Sequence, residues 1–210
     1  KEIYEENVLK SPVIFEKIRD DVAISKRNLY AAEYAWSKVP GGVTVDEMII
    51  EGNVIRLVLS SRNSALINSS PNVMSQHEMF LMIVPNDPEI VDGITRVYMY
   101  SELPDFDPSD RPERIWDLKV KWLDDYFNIA AGDADVKITS AVKGSELMPN
   151  DILLHKLKVN VSGERAPIMV FLHDIQDIPA SIAFKGMKSK YDTENKTYVM
   201  DLDIYSYERR

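Results

Sequence analysis

The stretch VSGERAPIMVFLHDIQDIPASIAF, residues 161–184, has the pattern of a strand, a short helix and a second strand joined by very few residues. Pro167 suits the first turn of a helix, where its missing N–H would have no partner. The apolar residues that follow recur at helical spacing and form one face: Ile168, Phe171, Leu172 and Ile175. Pro179 ends this pattern before Ile182 and Phe184 resume an extended one. The stretch carries no obvious chemistry, so we interpret the module as one that holds other proteins.

Composition excludes several classes of protein. The 210 residues include no cysteine, which excludes disulfides, iron–sulfur clusters and cysteine zinc sites. No run of eighteen apolar residues occurs, so the chain itself does not span a membrane. Residues 1–110 carry 10 basic and 18 acidic side chains, and residues 111–210 carry 15 and 16. This balance argues against a nucleic-acid-binding surface and favours two domains of different character.

The first forty residues have a helical pattern. Pro12 breaks its start, so Lys1 to Ser11 form a separate short segment. Beyond it, positions that are apolar except for one serine alternate between spacings of three and four, as in the seam of a coiled coil: Phe15, Ile18, Val22, Ser25, Leu29, Ala32, Trp36 and Val39. For the second half of this stretch, an amphipathic helix packed on its own domain explains the pattern equally well.

The next segment has the pattern of a small α+β unit. Two extended runs, residues 43–51 and 54–61, flank a Gly-Asn pair at 52–53, which predicts a hairpin. Residues 63–72 are polar and irregular, and we predict a helix from Val73 to Val84. A strand follows at 94–101, without a fourth strand in this unit. The proline- and acid-rich residues 102–111 have the composition of a linker.

The second half of the chain repeats this order more completely. We predict helices over 112–130 and 166–177, with strands over 135–143, 152–162, 181–189 and 197–207. Helix, strand, strand, helix, strand, strand is a two-layer α+β plan.

The helix predicted over 112–130 carries two adjacent apolar stripes. One stripe contains Ile115, Leu118, Trp122 and Tyr126, and the other contains Trp116, Val120, Leu123 and Phe127. One stripe suffices to cover a sheet, so the surplus predicts a second partner, either the first domain or another chain.

Residues with catalytic or metal-binding chemistry do not converge in the sequence. His77, His155 and His173 lack a second ligand or base at a useful spacing. The acidic DFDPSD at 105–110 lacks the glycine and glutamate of a calcium loop. We therefore expect no catalytic residues, no metal, no cofactor and no enzymatic activity. The predicted strands also lack the exposed aromatic and basic residues of an RNA-binding sheet.

The C-terminal half resembles the PilO family of type IV pilus assembly proteins and its type II secretion counterparts. The resemblance rests on the helix and closing strand of residues 157–207, with these residues at the family positions: Phe171, Leu172, Ile175, Pro179, Tyr205 and Tyr207. Ala180 replaces the basic residue that usually follows the proline. The first half, in AWSKVPGGVTVDEMIIEGNVIRLVLSS (residues 35–61), is similar to the sister family PilN.

The resemblance implies two tandem ferredoxin-like domains preceded by a helix with coiled-coil character. Residues 1–27 would be the end of the coiled coil, 28–101 the PilN-like domain, 102–111 the linker and 112–210 the PilO-like domain. Members of these families are single-pass proteins of the bacterial inner membrane, with their domains on its extracytoplasmic side. Their transmembrane helix would precede Lys1 and is absent from this chain.

Two functions follow as expectations. The first is a non-catalytic scaffold of a pilus or type II secretion (GspM/GspL-like) alignment subcomplex, acting as a homodimer or as a heterodimer with sister proteins. Its interaction residues would be Phe15, Ile18, Val22, Leu29, Trp116, Val120, Leu123 and Phe127. The alternative is a soluble pair of regulatory domains that binds a small ligand.

Overall fold

The computed structural model describes residues 2–3, 12–80, 82–112, 116–117, 119–176, 178 and 182–209. These residues form a mixed α+β fold. The helices are α1 (Pro12–Lys38), α2 (Ser64–Met74), α3 (Val120–Ala134) and α4 (Arg165–Gln176). The strands are β1 (Glu2–Ile3), β2 (Thr44–Glu51), β3 (Val54–Ser61), β4 (Met82–Pro85), β5 (Glu89–Val91), β6 (Ile94–Glu102), β7 (Trp116–Asp117), β8 (Lys137–Met148), β9 (Ile152–Gly163), β10 (Ile182–Asp192) and β11 (Thr197–Arg209).

Nine of these strands form one antiparallel sheet. Its order is β4-β6-β3-β2-β10-β11-β9-β8, with β5 beside β6 on the same side as β4. Strands β1 and β7 form a separate pair. We call β2 to β6 the first half-sheet and β8 to β11 the second half-sheet.

The two half-sheets have the same order of strands. We number the strands of each half-sheet by their position along the chain and count β4 and β5 as one broken strand. Across each half-sheet, the strands then lie in the spatial order first, second, fourth, third. The half-sheets join where β2 pairs with β10, from Glu51 opposite Gly186 to Glu47 opposite Lys190. Lys188 and Lys190 of β10 form ion pairs with Glu47 of β2 across this junction, at 3.4 and 3.6 Å.

The predicted hairpin of β2 and β3 is confirmed. Glu51 lies opposite Val54, and Gly52 turns the chain with a φ of 60° that residues with a Cβ rarely adopt. The fourth strand that the sequence did not reveal is present as β4 and β5, which pair with opposite ends of β6.

The predicted helix from Val73 to Val84 is wrong. Helix α2 lies earlier, within the segment that we interpreted as irregular, because Asn63 caps its start by accepting a hydrogen bond from the Ala65 N–H at 3.1 Å. Ile67 and Met74, two turns apart, are buried on one face. Tertiary burial of this face outweighs the poor helix propensity of the surrounding Ser, Asn and Pro residues.

The predicted helix over 112–130 is displaced in the structure. The backbone of Trp116 and Asp117 forms β7, and α3 runs from Val120 to Ala134. Asp135 ends α3 in the left-handed conformation, with its N–H directed at the carbonyls of Ala131 and Gly132. The helix therefore begins later and ends later than its apolar pattern indicates.

Apolar side chains on one face of the sheet form the main core with all four helices. A second, smaller cluster contains Phe15, Ile18, Ile152, Leu154, Ala183 and Tyr207. Leu157 of β9 belongs to the main core, and side chains alternate along a strand. The second cluster therefore lies on the opposite face of the second half-sheet, and α1 contributes to both clusters.

The middle of α1 is tied to the first half-sheet and to the segment that follows it. Asn28 Nδ2 donates to the Gly52 carbonyl at 3.1 Å, and Arg27 donates to the Pro104 carbonyl at 2.6 Å. Leu103 is buried in the main core. The residues after β6 therefore pack along α1.

Candidate interaction surfaces

The seam of α1 is covered by the chain's own sheet. Phe15 and Ile18 pack in the second cluster, and Leu29 packs in the main core. Val22 is also buried. The seam therefore follows the alternative interpretation of its pattern, an amphipathic helix packed on its own domain, and this packing extends to the first half of the helix as well.

A buried hydrogen-bond network holds α1 where it passes the edge of β10. Asp21 accepts hydrogen bonds from the Tyr207 hydroxyl and from Lys185 Nζ, both at 2.5 Å. Ser25 Oγ accepts from the Phe184 N–H at 2.7 Å and donates to the Asp21 carbonyl. Burial raises the pKa of Tyr207 above its ordinary value, and the hydrogen bond to Asp21 raises it further. We call Asp21, Ser25, Lys185 and Tyr207 the α1 latch.

The second set of predicted interaction residues divides between the core and the surface of α3. Leu123 and Phe127 are buried in the main core, and Val120 packs against it. The side chain of Trp116 lies outside the described residues. Trp122, from the other predicted stripe, and Ile129, from neither stripe, are exposed. The surface that α3 offers to another molecule is thus a different one from the stripe predicted.

The three histidines contact neighbouring polar and aromatic groups. His77 Nδ1 accepts from the Met79 N–H at 3.0 Å, and its ring lies 4.2 Å from that of Tyr34. His173 Nδ1 lies 3.4 Å from a carboxylate oxygen of Glu33. His77 and His173 thus both contact residues of α1.

His155 belongs to a chain of polar side chains that spans three strands. Its Nδ1 lies 2.8 Å from Ser145 Oγ, and its Nε2 lies 3.2 Å from Glu208 Oε2. Glu208 also accepts from the N–H of Val120 at the start of α3. Serine–histidine and histidine–carboxylate contacts also occur in nucleophilic catalytic sites. Such a site further requires an oxyanion-binding group and a substrate cleft.

Neither concavity described below includes a residue of this polar chain. Ser145 and His155 are directly paired across β8 and β9, so sheet register alone brings them together. We therefore interpret the polar chain as a structural link that joins α3 to the outer strands. No sequence pattern predicts it, because its members lie on three separate strands.

The uncovered face of the first half-sheet forms a concavity of about 550 Å³. Its apolar lining includes Ile49, Val58, Tyr98 and Tyr100, and Arg56, Glu47 and Glu102 add charge. Tyr98 and Tyr100 are partly exposed. This face offers an aromatic surface to a ligand or a partner chain.

A second concavity, of about 760 Å³, lies at the turns of the second half-sheet. Asp135, Lys137, Glu164 and Asp192 contribute to its polar lining. The pKa of Asp192 is lowered by hydrogen bonds from Asn195 in the same turn. The Asp192 carboxylate thus accepts hydrogen bonds within the β10–β11 turn and stabilises it.

The outer edge of β8 is one end of the sheet. Among the described residues, β8 pairs with β9 alone, and nearly every side chain along its twelve residues is exposed. Val142 and Leu147 leave 49% and 56% of their surface in solvent. An unpaired edge with exposed aliphatic side chains is a template for another strand.

The other end of the sheet is formed by β4 and β5. Ile90 and Val91 of β5 are the exposed aliphatic side chains here, at 72% and 61%. Pro85 and Pro88 remove backbone donors on either side of Asn86. Among the described residues, β4 and β5 both have an unpaired outer edge, and the exposed aliphatic side chains of this end lie on β5.

Within the described parts of the chain, no three His, Asp or Glu side chains are grouped as a metal site would require. Across the same residues, no helix is both long enough and apolar enough to cross a membrane. Comparisons with protein-family models, curated proteins and solved structures find no match to the chain.

Proposed function

We propose that this chain is a non-catalytic scaffold of a type IV pilus or type II secretion alignment subcomplex. It would act on the extracytoplasmic side of the bacterial inner membrane, by binding a second copy of itself or a sister protein. Within this proposal, residues 28–101 and 112–210 are two ferredoxin-like domains, the first PilN-like and the second PilO-like.

The observation that carries the proposal is the strand order shared by the two half-sheets. Each has two helices and four strand positions in the order helix, strand, strand, helix, strand, strand. In each, the last strand lies between the second and the third. A ferredoxin-like unit has the order strand, helix, strand, strand, helix, strand. Moving its first strand to the end of the chain gives the order found here. The fold therefore supports the domain type that the sequence resemblance implies.

The exposed surfaces also favour binding of protein chains. Aliphatic side chains stand in solvent at both ends of the sheet, on β5 and β8, and Ile129 does so on α3. Exposed apolar groups that are concentrated at particular places mark surfaces for macromolecular partners. A scaffold needs such surfaces and needs no reacting groups.

A small-ligand regulatory function is the second candidate, favoured by the aromatic concavity on the first half-sheet. Its volume of about 550 Å³ is within the range of small-molecule sites, and Arg56 could pair with an anionic group. A saturable rise in melting temperature with one metabolite, abolished by Arg56→Ala, would favour this function. The same metabolite should leave an Arg62→Ala variant, altered outside the concavity lining, responsive.

The proposed scaffold function is tested by deleting the gene in the organism that carries it. Electron microscopy should show loss of surface pili, or assays of culture medium should show loss of secreted proteins, with growth unchanged. The complete gene returned on a plasmid should restore the phenotype. A deletion strain that keeps both its pili and its secretion would overturn the proposal.

A further inference from the structure

The two ends of the nine-stranded sheet are complementary in strand position, charge and exposed apolar groups. We propose that the outer edge of β8 in one copy of the chain pairs with β5 of a second copy, so that copies associate head to tail. This inference rests on the proposed scaffold function, because it names the partner and the surface through which the scaffold would bind.

The chain already contains one junction between the first strand of one half-sheet and the third strand of the other. The first strand of the first half-sheet, β2, uses its outer edge to pair antiparallel with β10, which is the third strand of the second half-sheet. In the second half-sheet the equivalent first strand is β8, and its outer edge pairs with no described strand. The equivalent third strand that lies open is β5, in the first half-sheet. Repeating the internal junction therefore joins β8 of one copy to β5 of the next.

Strand β5 allows only a short junction. The internal junction of β2 with β10 spans only five residue pairs, from Glu51 to Glu47. Strand β5 offers three residues, Glu89 to Val91, and β8 offers twelve. A short ladder of this kind binds weakly, so the association is expected to depend on protein concentration.

Charge on the two edges is complementary. The segment 82–93, which contains β4 and β5, carries three acidic side chains and no basic one: Asp87, Glu89 and Asp92. Strand β8 carries Lys137 and Lys143, and Glu146 is already paired with Lys156 of β9 at 3.1 Å. Opposite charges across a strand pair stabilise it, as Glu47 and the lysines of β10 do at the internal junction.

Exposed aliphatic groups complete the match. Ile90 and Val91 stand on one edge, and Val142 and Leu147 stand on the other. Over the short length of β5, Ile90 or Val91 can pack beside Val142 or Leu147 and leave water with it, whereas a contact between two β8 edges would leave β5 exposed. A head-to-tail contact leaves one free edge at each end of a dimer, so further copies can add to it.

The test uses the full chain and two variants, each blocked at one edge. Val142→Glu with Leu147→Glu places acidic groups on β8 opposite the acidic β5. Ile90→Pro acts at β5, where the two-residue turn at Asp92-Gly93 and the alternation of the ladder direct the Ile90 N–H away from β6. Val170→Glu, on the exposed surface of α4, is the matched control for a change from an apolar to an acidic residue.

Light scattering behind size exclusion over a concentration series should give three results. The unaltered chain and the Val170→Glu control should increase in mass with concentration above the 24.0 kDa of one chain. Each edge variant should associate at least about tenfold more weakly. An equimolar mixture of the two edge variants should form a dimer and nothing larger, because one β8 and one β5 remain competent.

Several results would overturn the inference. An unaltered chain that stays at the mass of one copy throughout the series would do so. An Ile90→Pro variant that associates as well as the unaltered chain would indicate pairing of β8 with β8. A β8 variant that associates normally would assign the contact to another surface, such as the aromatic concavity.

Folding of each variant is checked by circular dichroism, and a cross-linking experiment replaces any variant that does not fold. Because the chain has no cysteine, Ile90→Cys and Val142→Cys introduce unique thiols. Mixed oxidation should form the 90–142 disulfide faster than the 90–90 or 142–142 disulfide, and the reverse order would contradict the inference. A chain that stays monomeric while its deletion removes pili or secretion would overturn the head-to-tail contact and leave the scaffold function standing.

Discussion

The hydroxyl of Tyr207 donates a hydrogen bond to Asp21 Oδ2 at 2.5 Å, and this contact joins the last strand of the sheet to the first helix. The two residues are 186 positions apart in the chain. Lys185 Nζ donates to the other oxygen of the same carboxylate. The α1 latch therefore fixes α1 against the face of the sheet that the other helices leave uncovered.

Removing the Tyr207 hydroxyl should destabilise the fold. Tyr207→Phe keeps the ring in the second cluster but leaves the buried Asp21 with one donor fewer, which costs about 1–3 kcal/mol. Urea unfolding monitored by circular dichroism measures this change. Tyr100→Phe, which removes a hydroxyl from the exposed face of β6, should change stability by less than about 0.5 kcal/mol. Equal effects of the two substitutions would contradict a stabilising role for the latch.

The latch also predicts loss of stability at alkaline pH. Burial and the contact with Asp21 raise the pKa of Tyr207 above its ordinary value of 10.0, and burial raises that of Tyr198. Above about pH 10 the unfolded state therefore loses phenolic protons that the folded state retains. The contribution of these tyrosines to the free energy of unfolding is fully present below pH 10.0 and decreases as the pH rises further. Urea midpoints measured from about pH 8 to about pH 11 should fall less steeply in Tyr207→Phe than in the unaltered chain, and parallel curves would argue against the raised pKa.

Ser25 should protect one backbone amide at the edge of β10. The Phe184 N–H donates to Ser25 Oγ at a position where β2 does not reach β10, since their pairing begins at Gly186. Ser25→Ala leaves this buried N–H without a partner, at a cost of about 1–3 kcal/mol. Hydrogen exchange by NMR should show faster exchange of the Phe184 amide. Ser37→Ala, which removes a bond to the Tyr34 carbonyl on the exposed end of α1, serves as the control and should leave that amide unchanged.

Local patterns predicted those parts of the fold that neighbouring residues determine. The β2–β3 hairpin follows from two β-rich runs and the turn at Gly52, all within eighteen residues. Helix α4 follows from the apolar spacing of Ile168 to Ile175. Helix α2 was missed because its polar residues have low helix propensity, and burial of Ile67 and Met74 decides the outcome.

Long-range pairing and the choice of covered surface could not be predicted in the same way. The junction of β2 with β10 joins residues about 140 positions apart, and no local pattern specifies that partner. The heptad spacing of Phe15 and Ile18 indicates a buried stripe but not what buries it. Tyr207 and the surrounding apolar groups of this chain take the place that a second helix would occupy.

The observed register of α3 separates two residues that the sequence pattern treats alike. Phe127 is fully buried in the main core, whereas Ile129 is 63% exposed. Phe127→Ala removes a large side chain from a packed interior and should cost about 3–5 kcal/mol. Ile129→Ala should cost less than about 0.5 kcal/mol, because the site is already in contact with water. Urea unfolding of the two variants measures both values. A large effect at Ile129, measured at a concentration where the chain is monomeric, would show that α3 lies on the sheet with a different face.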